Sequence, residues 1–215
     1  MIFIRENTTI PVPKVLDIWQ NDKGKYTFLM ERVEGKTLKE VWNIIGDDTK
    51  DHIARQLKGY IQQLRDIQPP GMRISSLNGS SCWDERLSTR PCGPFESEED
   101  FNKYLVSKIE KFSWEPDVKI KIDDIRTMLS MREHKICFTH GDLCSKNIIV
   151  DDYGNIKAIL DWEMSGWMPE YWEYLKCIYG EDESWMEFTK KAMQSYDDEM
   201  NTDNQIIEIA GCAFF

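Results

Sequence analysis

The stretch whose reading decides the fold is His140-Gly141-Asp142-Leu143-Cys144-Ser145-Lys146-Asn147. It follows one short β-type run, Ile136–Thr139, and opens on another, Asn147–Val150. Asp151-Asp152-Tyr153-Gly154-Asn155 then has the polar, glycine-containing composition of a tight turn. A third β-type run, Ile156–Leu160, leads into Asp161-Trp162-Glu163. Pairing of the last two runs would fold Asn147 at the start of the hairpin back beside Asp161 at its end. Asp142, Asn147 and Asp161 would then bring three oxygen-bearing side chains together. Such oxygens suit Mg²⁺, a hard cation that keeps several positions for water and phosphate. Asp142, upstream of the other two, is placed to accept a proton from an attacking hydroxyl.

Outward from this segment the chain reads as strands, helices, a small strand cluster and helices again, which is an α+β order rather than an alternating βαβ array. Met1–Glu6 has the look of the last turns of a helix, and Pro11 and Pro13 enforce an extended segment after it. Val15–Trp19 and Tyr26–Glu31 flank a polar link containing Gly24, the pattern of a hairpin. Thr37-Leu38-Lys39-Glu40 is a capping box that predicts a helix through about Ile45. Ile53, Leu57, Tyr60, Ile61, Leu64 and Ile67 recur at helical spacing up to Pro69-Pro70-Gly71. Residues 71–96, rich in Gly, Ser and Pro, predict a long ordered loop with room for a short hairpin. A second capping pattern at Ser97–Asp100 opens a helix carrying Phe101, Tyr104, Leu105, Ile109 and Phe112. Asp117–Glu133 and the tryptophan-rich region from about Glu170 also read as helical.

The 215-residue chain is 41% apolar, 30% charged and 12% aromatic. That is globular composition, and the aromatic content excludes disorder along the whole chain. No apolar run approaches the ~20 residues of a membrane span. The net charge of −11 gives no general affinity for nucleic acid or anionic lipid. The six cysteines (82, 92, 137, 144, 177 and 212) form no CxxC pair, and no secretory leader opens the chain, so the expectation is reduced thiols in a cytoplasmic protein. Trp162, Trp167 and Trp172 read as core packing in preference to a pocket wall, and His52 and His134 as surface residues. The acidic runs Glu181–Glu183 and Asp197–Glu199 read as solvated faces or helix starts in preference to a lure for a cationic acceptor.

HGD with Asn five residues after the Asp, a hairpin and then a D-x-E resembles the catalytic segment of the aminoglycoside phosphotransferase/choline kinase-like branch of the protein-kinase-like fold. Ile10–Val15, Phe28–Gly35 and Arg90–Ser97 are similar to recurring segments of fungal members, so the resemblance covers nearly the whole chain. It implies an ATP- and Mg²⁺-dependent phosphotransferase acting on a hydroxyl of a small molecule. By resemblance, Asp142 is the catalytic base, and Asn147 and Asp161 hold Mg²⁺ on the nucleotide phosphates. Glu163 is a further candidate metal ligand or a turn cap. His140 shapes the loop through backbone hydrogen bonds. Met30, Glu31 and Val33 correspond to the hinge whose backbone binds the base of ATP or another nucleoside triphosphate. Cys144 stands where protein Ser/Thr kinases commonly carry Lys, which points to a small-molecule acceptor.

The resemblance implies two parts: residues 1–34, a remnant of a small β-lobe with the hinge, and residues 35–215, a mostly helical large lobe. The large lobe holds the catalytic loop at 140–147 and the metal segment at 161–163. No Gly-rich phosphate loop or strand lysine precedes Ile10, and the apolar end Ile206–Phe215 suits packing better than solvent. These absences keep a second reading open, a truncated pseudokinase-like binding or scaffold protein without efficient catalysis.

Overall fold

The structure is a computed structural model that describes residues 1–179 and 182–211. Glu181, Cys212 and the apolar end at 213–215 lie outside the described residues. Helix α1 (Ile2–Asn7) leads through the extended Pro11-Val12-Pro13 segment into the antiparallel hairpin of β1 (Val15–Gln20) and β2 (Tyr26–Met30). Strand β3 (Lys36–Thr37) and helix α2 (Leu38–Val41) share Thr37 as strand end and helix cap. The capping box forms as expected: the Glu40 N–H donates to Thr37 Oγ1 at 3.2 Å, and the Thr37 N–H donates to Glu40 Oε2 at 2.7 Å. The helix is shorter than predicted and ends at Val41.

Helix α3 (Asp47–Asp66) is the amphipathic helix seen in the spacing, with Ile53, Ala54, Leu57, Ile61 and Leu64 buried. Each such large aliphatic side chain contributes roughly 1.5–3 kcal/mol on burial. Strand β4 (Ser75–Ser76) and two isolated bridges, Ile74 with Phe95 and Cys82 with Cys92, give the long loop its order. Helices α4 (Glu98–Glu110) and α5 (Pro116–Ser130) follow, the first capped by Ser97 Oγ accepting from the Asp100 N–H at 3.2 Å.

The next strands are β5 (Ile136–Thr139), β6 (Ile148–Val150), β7 (Ile156–Ile159) and β8 (Gly166–Pro169). They do not form one cluster. Strand β6 is central in the order β3-β6-β7, whereas β8 is central in β4-β8-β5. The Gly-Trp-Met-Pro sequence of β8 carries two strand-breaking residues and gave no β signal. Its Gly166 meets Ser75 so closely that a Cβ would stand 2.6 Å from the Ser75 carbonyl oxygen, which explains the glycine. Helices α6 (Trp172–Ile178), α7 (Glu183–Ala192) and α8 (Asp197–Ala210) complete the chain.

Trp162, Trp167 and Trp172 are buried, as the core-packing reading expects, and Trp172 meets Phe101 edge-on with ring centroids 5.2 Å apart. His134 departs from its surface assignment. Its ring bridges Glu98 Oε1 at 2.7 Å and Glu199 Oε1 at 3.2 Å, joining the start of α4 to α8. The Glu98 carboxylate in particular holds its pKa above the ordinary imidazole value. His52 lies partly buried beside Asn155. No described helix is long and apolar enough to cross a membrane.

Candidate functional site

The loop between β5 and β6 is built on buried anchors. His140 is fully buried, and its two ring nitrogens are engaged by backbone. Nε2 lies 2.7 Å from the Leu160 carbonyl oxygen, and Nδ1 accepts the Asp142 N–H at 3.1 Å. These partners define a neutral ring protonated on Nε2. Burial lowers the His140 pKa to about 4, so the ring stays neutral. It packs on Trp162, with centroids 4.4 Å apart. This is the loop-shaping arrangement that the sequence suggested for His140.

Glu173, in the first turn of α6, accepts the N–H groups of His140 (at Oε2) and Gly141 (at Oε1, 3.2 Å). It is 3% exposed, and burial raises its pKa to about 7, against the opposing pull of these two hydrogen bonds. Gly141 has a φ of +81°, and a Cβ there would stand 2.6 Å from the Met164 carbonyl oxygen. Both the backbone sign and the close approach require glycine.

The hairpin of β6 and β7 brings Asn147 to Leu160, whose N–H donates to the Asn147 carbonyl oxygen at 2.8 Å. Asn147 and Asp161 are thereby neighbours across the hairpin mouth, and Asn147 begins no strand. It ends a single 3₁₀ turn, Ser145–Asn147. Its Nδ2 donates to Asp142 Oδ2 at 2.8 Å and to the Asp142 carbonyl oxygen at 2.9 Å. With the amide in that orientation, Asn147 Oδ1 is the atom left without a protein hydrogen bond. Burial raises the pKa of the half-buried Asp142 and Asp161 adds to the rise, while Asn147, Lys176 and Lys146 oppose it.

Asp161 is exposed and is the one non-glycine residue among those described with a positive φ, +61°. Asp tolerates this left-handed region better than most residues, at a cost of roughly 1–2 kcal/mol. Its side chain has no hydrogen bond or ion pair among the described residues. Glu163 is also exposed, and its carboxyl is pushed up by partial desolvation and then by Asp161, Glu85 and Asp142. The site mouth is therefore a concentration of negative charge.

Residues far apart in sequence complete the surroundings. Asp84 is buried and accepts from Lys176 Nζ at 2.7 Å, Trp172 Nε1 at 2.9 Å and the Arg86 N–H at 2.8 Å. Lys176, Asp84 and Glu173 lie in no recognisable motif. The only sequence signals were a charged pair in the long loop and two charged residues in a tryptophan-rich helix. Met30 and Glu31 are exposed and Val33 is partly buried. The Glu31 N–H donates to the Lys14 carbonyl oxygen at 2.8 Å, and the segment runs into β3, which pairs with β6. No hydrogen bond or ion pair joins Met30, Glu31 or Val33 to Asp142, Asn147 or Asp161.

The donor chemistry fits a magnesium ion. Asn147 Oδ1 and the Asp161 carboxylate supply hard oxygens, and the local negative charge favours a cation. Among the described residues, no group of three or more His, Cys, Asp or Glu side chains is arranged to hold a metal. A two-residue oxygen set of this kind suits an ion that completes its shell with water and phosphate rather than an all-protein cage.

Comparison with known proteins gives a family and a fold. The model of a family described as "Phosphotransferase enzyme family" matches residues 3–204. A thermostable mutant of aminoglycoside phosphotransferase APH(4)-Ia, in a ternary complex with AMP-PNP and hygromycin B, superposes with a TM-score of 0.65 at 13% identity, over 97% of this chain and 71% of that one. The GDP complex of wild-type aminoglycoside 2'-phosphotransferase-IIIa gives 0.65 at 13% identity, over 97% and 68%. The GDP and kanamycin complex of APH(2")-IIia gives 0.66 at 13% identity, over 96% and 68%. These likenesses assign the α+β protein-kinase-like fold. Protein STU1 of Candida albicans (strain SC5314 / ATCC MYA-2876) is 26% identical over 138 residues, 63% of this chain, and the match spans 10% of that protein.

Proposed function

The chain belongs to the phosphotransferase enzyme family, and on that premise we propose that it transfers the terminal phosphoryl group of ATP, or another nucleoside triphosphate, to a hydroxyl of a small molecule. The fold relatives include complexes with AMP-PNP and GDP and with hygromycin B and kanamycin, which supports a nucleotide donor and a small polyhydroxylated acceptor. In this reading residues 1–34 form the remnant of the small lobe with the hinge, and residues 35–215 the large lobe. The backbone of Met30, Glu31 and Val33 holds the nucleotide base.

The observation that carries the proposal is the Asn147–Asp142 hydrogen bond. It orients Asp142 through one carboxylate oxygen and leaves the other, Oδ1, to accept the proton of the acceptor hydroxyl. Asn147 Oδ1 and Asp161 would hold Mg²⁺, and Glu163 is a further candidate ligand. A magnesium ion held there would supply charge neutralisation on the nucleotide phosphates. His140 and Glu173 act through the loop backbone and touch no reacting atom.

The test is nucleotide titration with and without Mg²⁺, repeated on Asp161→Ala, together with a transfer assay on Asp142→Ala. Mg²⁺-dependent binding that Asp161→Ala weakens supports the reading, and absent or Mg²⁺-independent binding overturns it. One observation favours a second reading, a nucleotide-binding or scaffold protein with inefficient transfer. Among the described residues the β1–β2 sheet has two strands, and neither strand carries a lysine. Normal Mg²⁺-dependent binding without turnover would select that alternative.

A further inference from the structure

Cys82 and Cys92 stand opposite each other in an isolated antiparallel bridge that closes the base of the loop between them. The Cys82 N–H donates to the Cys92 carbonyl oxygen at 2.8 Å, and the Cys92 N–H donates to the Cys82 carbonyl oxygen at 3.0 Å. Opposed residues that exchange both bonds have Cα atoms roughly 5.5 Å apart and side chains on one side of the pair, inside the roughly 4.4–6.8 Å that a disulfide spans. Their Cβ atoms, about 4.5–5.5 Å apart in such a pair, need to close by up to about 1 Å. The bridge is isolated, so no flanking ladder holds the two segments at the wider spacing. Both thiols are free. Cys82 is buried and Cys92 is half-buried beside Tyr104, so a small reagent reaches Cys92 first. Cys137, by contrast, is registered opposite Met168, and Cys177 Sγ donates to the Leu143 carbonyl oxygen at 3.0 Å.

The loop that the two cysteines bound is tied to the support of the candidate site. Asp84 accepts from Lys176 and Trp172 of α6, and Arg86 pairs with Asp203 of α8. Helix α6 also carries Glu173, whose carboxylate holds the His140 and Gly141 N–H groups. Within the loop, the Leu87 and Ser88 N–H groups donate to the Asp84 carbonyl oxygen at 2.9 and 3.0 Å.

We propose that Cys82 and Cys92 form a redox site, which a low-molecular-weight disulfide such as oxidised glutathione converts into a cross-strand disulfide that clamps the 82–92 loop against α6 and α8. The Cys92 thiolate attacks one sulfur of the reagent, and the first thiol leaves with the proton that Cys92 gives up. The Cys82 thiolate then attacks Cys92 Sγ in the mixed disulfide and expels the second thiol, which takes the Cys82 proton. The two cysteines lose two electrons and two protons, and the reagent is reduced to two thiols. Burial, then Cys92 and Asp84, pushes Cys82 up to about 12, and burial pushes Cys92 up against the pull of Tyr104 and Lys108. Both thiols are therefore protonated near neutral pH, and the exchange is slow, on the scale of hours.

Incubating the native protein with oxidised glutathione in mild alkali, followed by acid quenching, alkylation and peptide mapping by mass spectrometry, tests the proposal. The expected product is an intramolecular Cys82–Cys92 disulfide, lighter than the reduced chain by two hydrogens and reversed by dithiothreitol. Amide hydrogen exchange at Leu87 and Ser88 should slow several-fold in the oxidised protein. In Cys82→Ser the reaction should stop at a mixed disulfide on Cys92, without that slowing. A native protein that keeps both thiols, or that pairs other cysteines, overturns the proposal. A wild-type chain that holds glutathione on Cys92 while Cys82 stays free overturns it too, because the bridge then does not close. A Cys82–Cys92 disulfide that leaves exchange at Leu87 and Ser88 unchanged would overturn the clamp.

Discussion

Asn147 donates one amide hydrogen to Asp142 Oδ2 at 2.8 Å and another to the Asp142 carbonyl oxygen at 2.9 Å, so one side chain fixes both the carboxylate and the backbone that carries it. Removing either partner should have different consequences. Asp142→Ala should lower phosphoryl transfer by roughly 10²–10⁴-fold and leave nucleotide affinity largely intact, since only the proton acceptor is lost. Asn147→Leu should lower both, because orientation of Asp142 and an oxygen for the metal go together. Steady-state kinetics beside calorimetric nucleotide titration separates the two patterns, and equal activity of Asp142→Ala would remove that residue from the base role.

Glu173 is expected to act by positioning. An amide at this place keeps one acceptor but sets an NH₂ group against the second backbone donor. Glu173→Gln should therefore cost about 1–3 kcal/mol of stability through an unsatisfied buried group. If the loop it holds orients Asp142, kcat should fall by more than KM changes. A variant with the stability loss and an unchanged kcat would confine Glu173 to a structural role.

His140 and Glu173 make opposite contributions to the pH dependence of stability. His140 has its pKa lowered from 6.5 to about 4 on folding, so between those values the unfolded chain binds more protons. Its contribution is present above pH 6.5 and is lost as pH falls toward 4, by about 3 kcal/mol in full. Glu173 has its pKa raised from 4.5 to about 7, so its contribution is present below pH 4.5 and is lost as pH rises toward 7. The two slopes offset each other in the intact protein. Urea denaturation of Glu173→Gln from pH 7 to 5 should expose a loss of stability on acidification that the wild type largely masks.

Arg86 and Asp203 form a buried ion pair at 2.5 Å between the long loop and α8. Arg86→Ala should destabilise the fold by about 3–5 kcal/mol, because it strands a buried carboxylate. The double variant Arg86→Met with Asp203→Leu should recover most of that loss in the same denaturation experiment. A double variant as unstable as the single one would show that the pair does not account for the cost.

Gly141→Ala should cost several kcal/mol, combining positive-φ strain with the Cβ contact at the Met164 carbonyl oxygen. Thermal unfolding would show the loss, and nucleotide binding should fall with it because the loop can no longer lie against Met164.

Local chemistry was legible in the sequence. Thr37 and Glu40 announce a capping box because a side chain three residues on can reach back to the first free N–H, and that needs no distant partner. Asp142, Asn147 and Asp161 could be grouped because a hairpin with a tight turn returns the chain to where it left. His134 was misplaced on the surface because its two glutamates, Glu98 and Glu199, come from helices 36 and 65 residues away. Strand β8 was not foreseen because its pairing with β4 and β5 overrides the poor strand propensity of Gly166 and Pro169.

The sequence by itself carried the resemblance to the phosphotransferase family, over nearly the whole chain, and it gave the helical faces and the grouping of Asp142, Asn147 and Asp161, which rest on spacing along a short length of chain. Only the tertiary structure decided what holds them. Glu173 under the loop and Asp84 between Lys176 and Trp172 depend on which distant surfaces meet. Burial gives a carboxylate its shifted proton affinity and its fixed partners, and no pattern of neighbours in the sequence specifies which carboxylates will be buried.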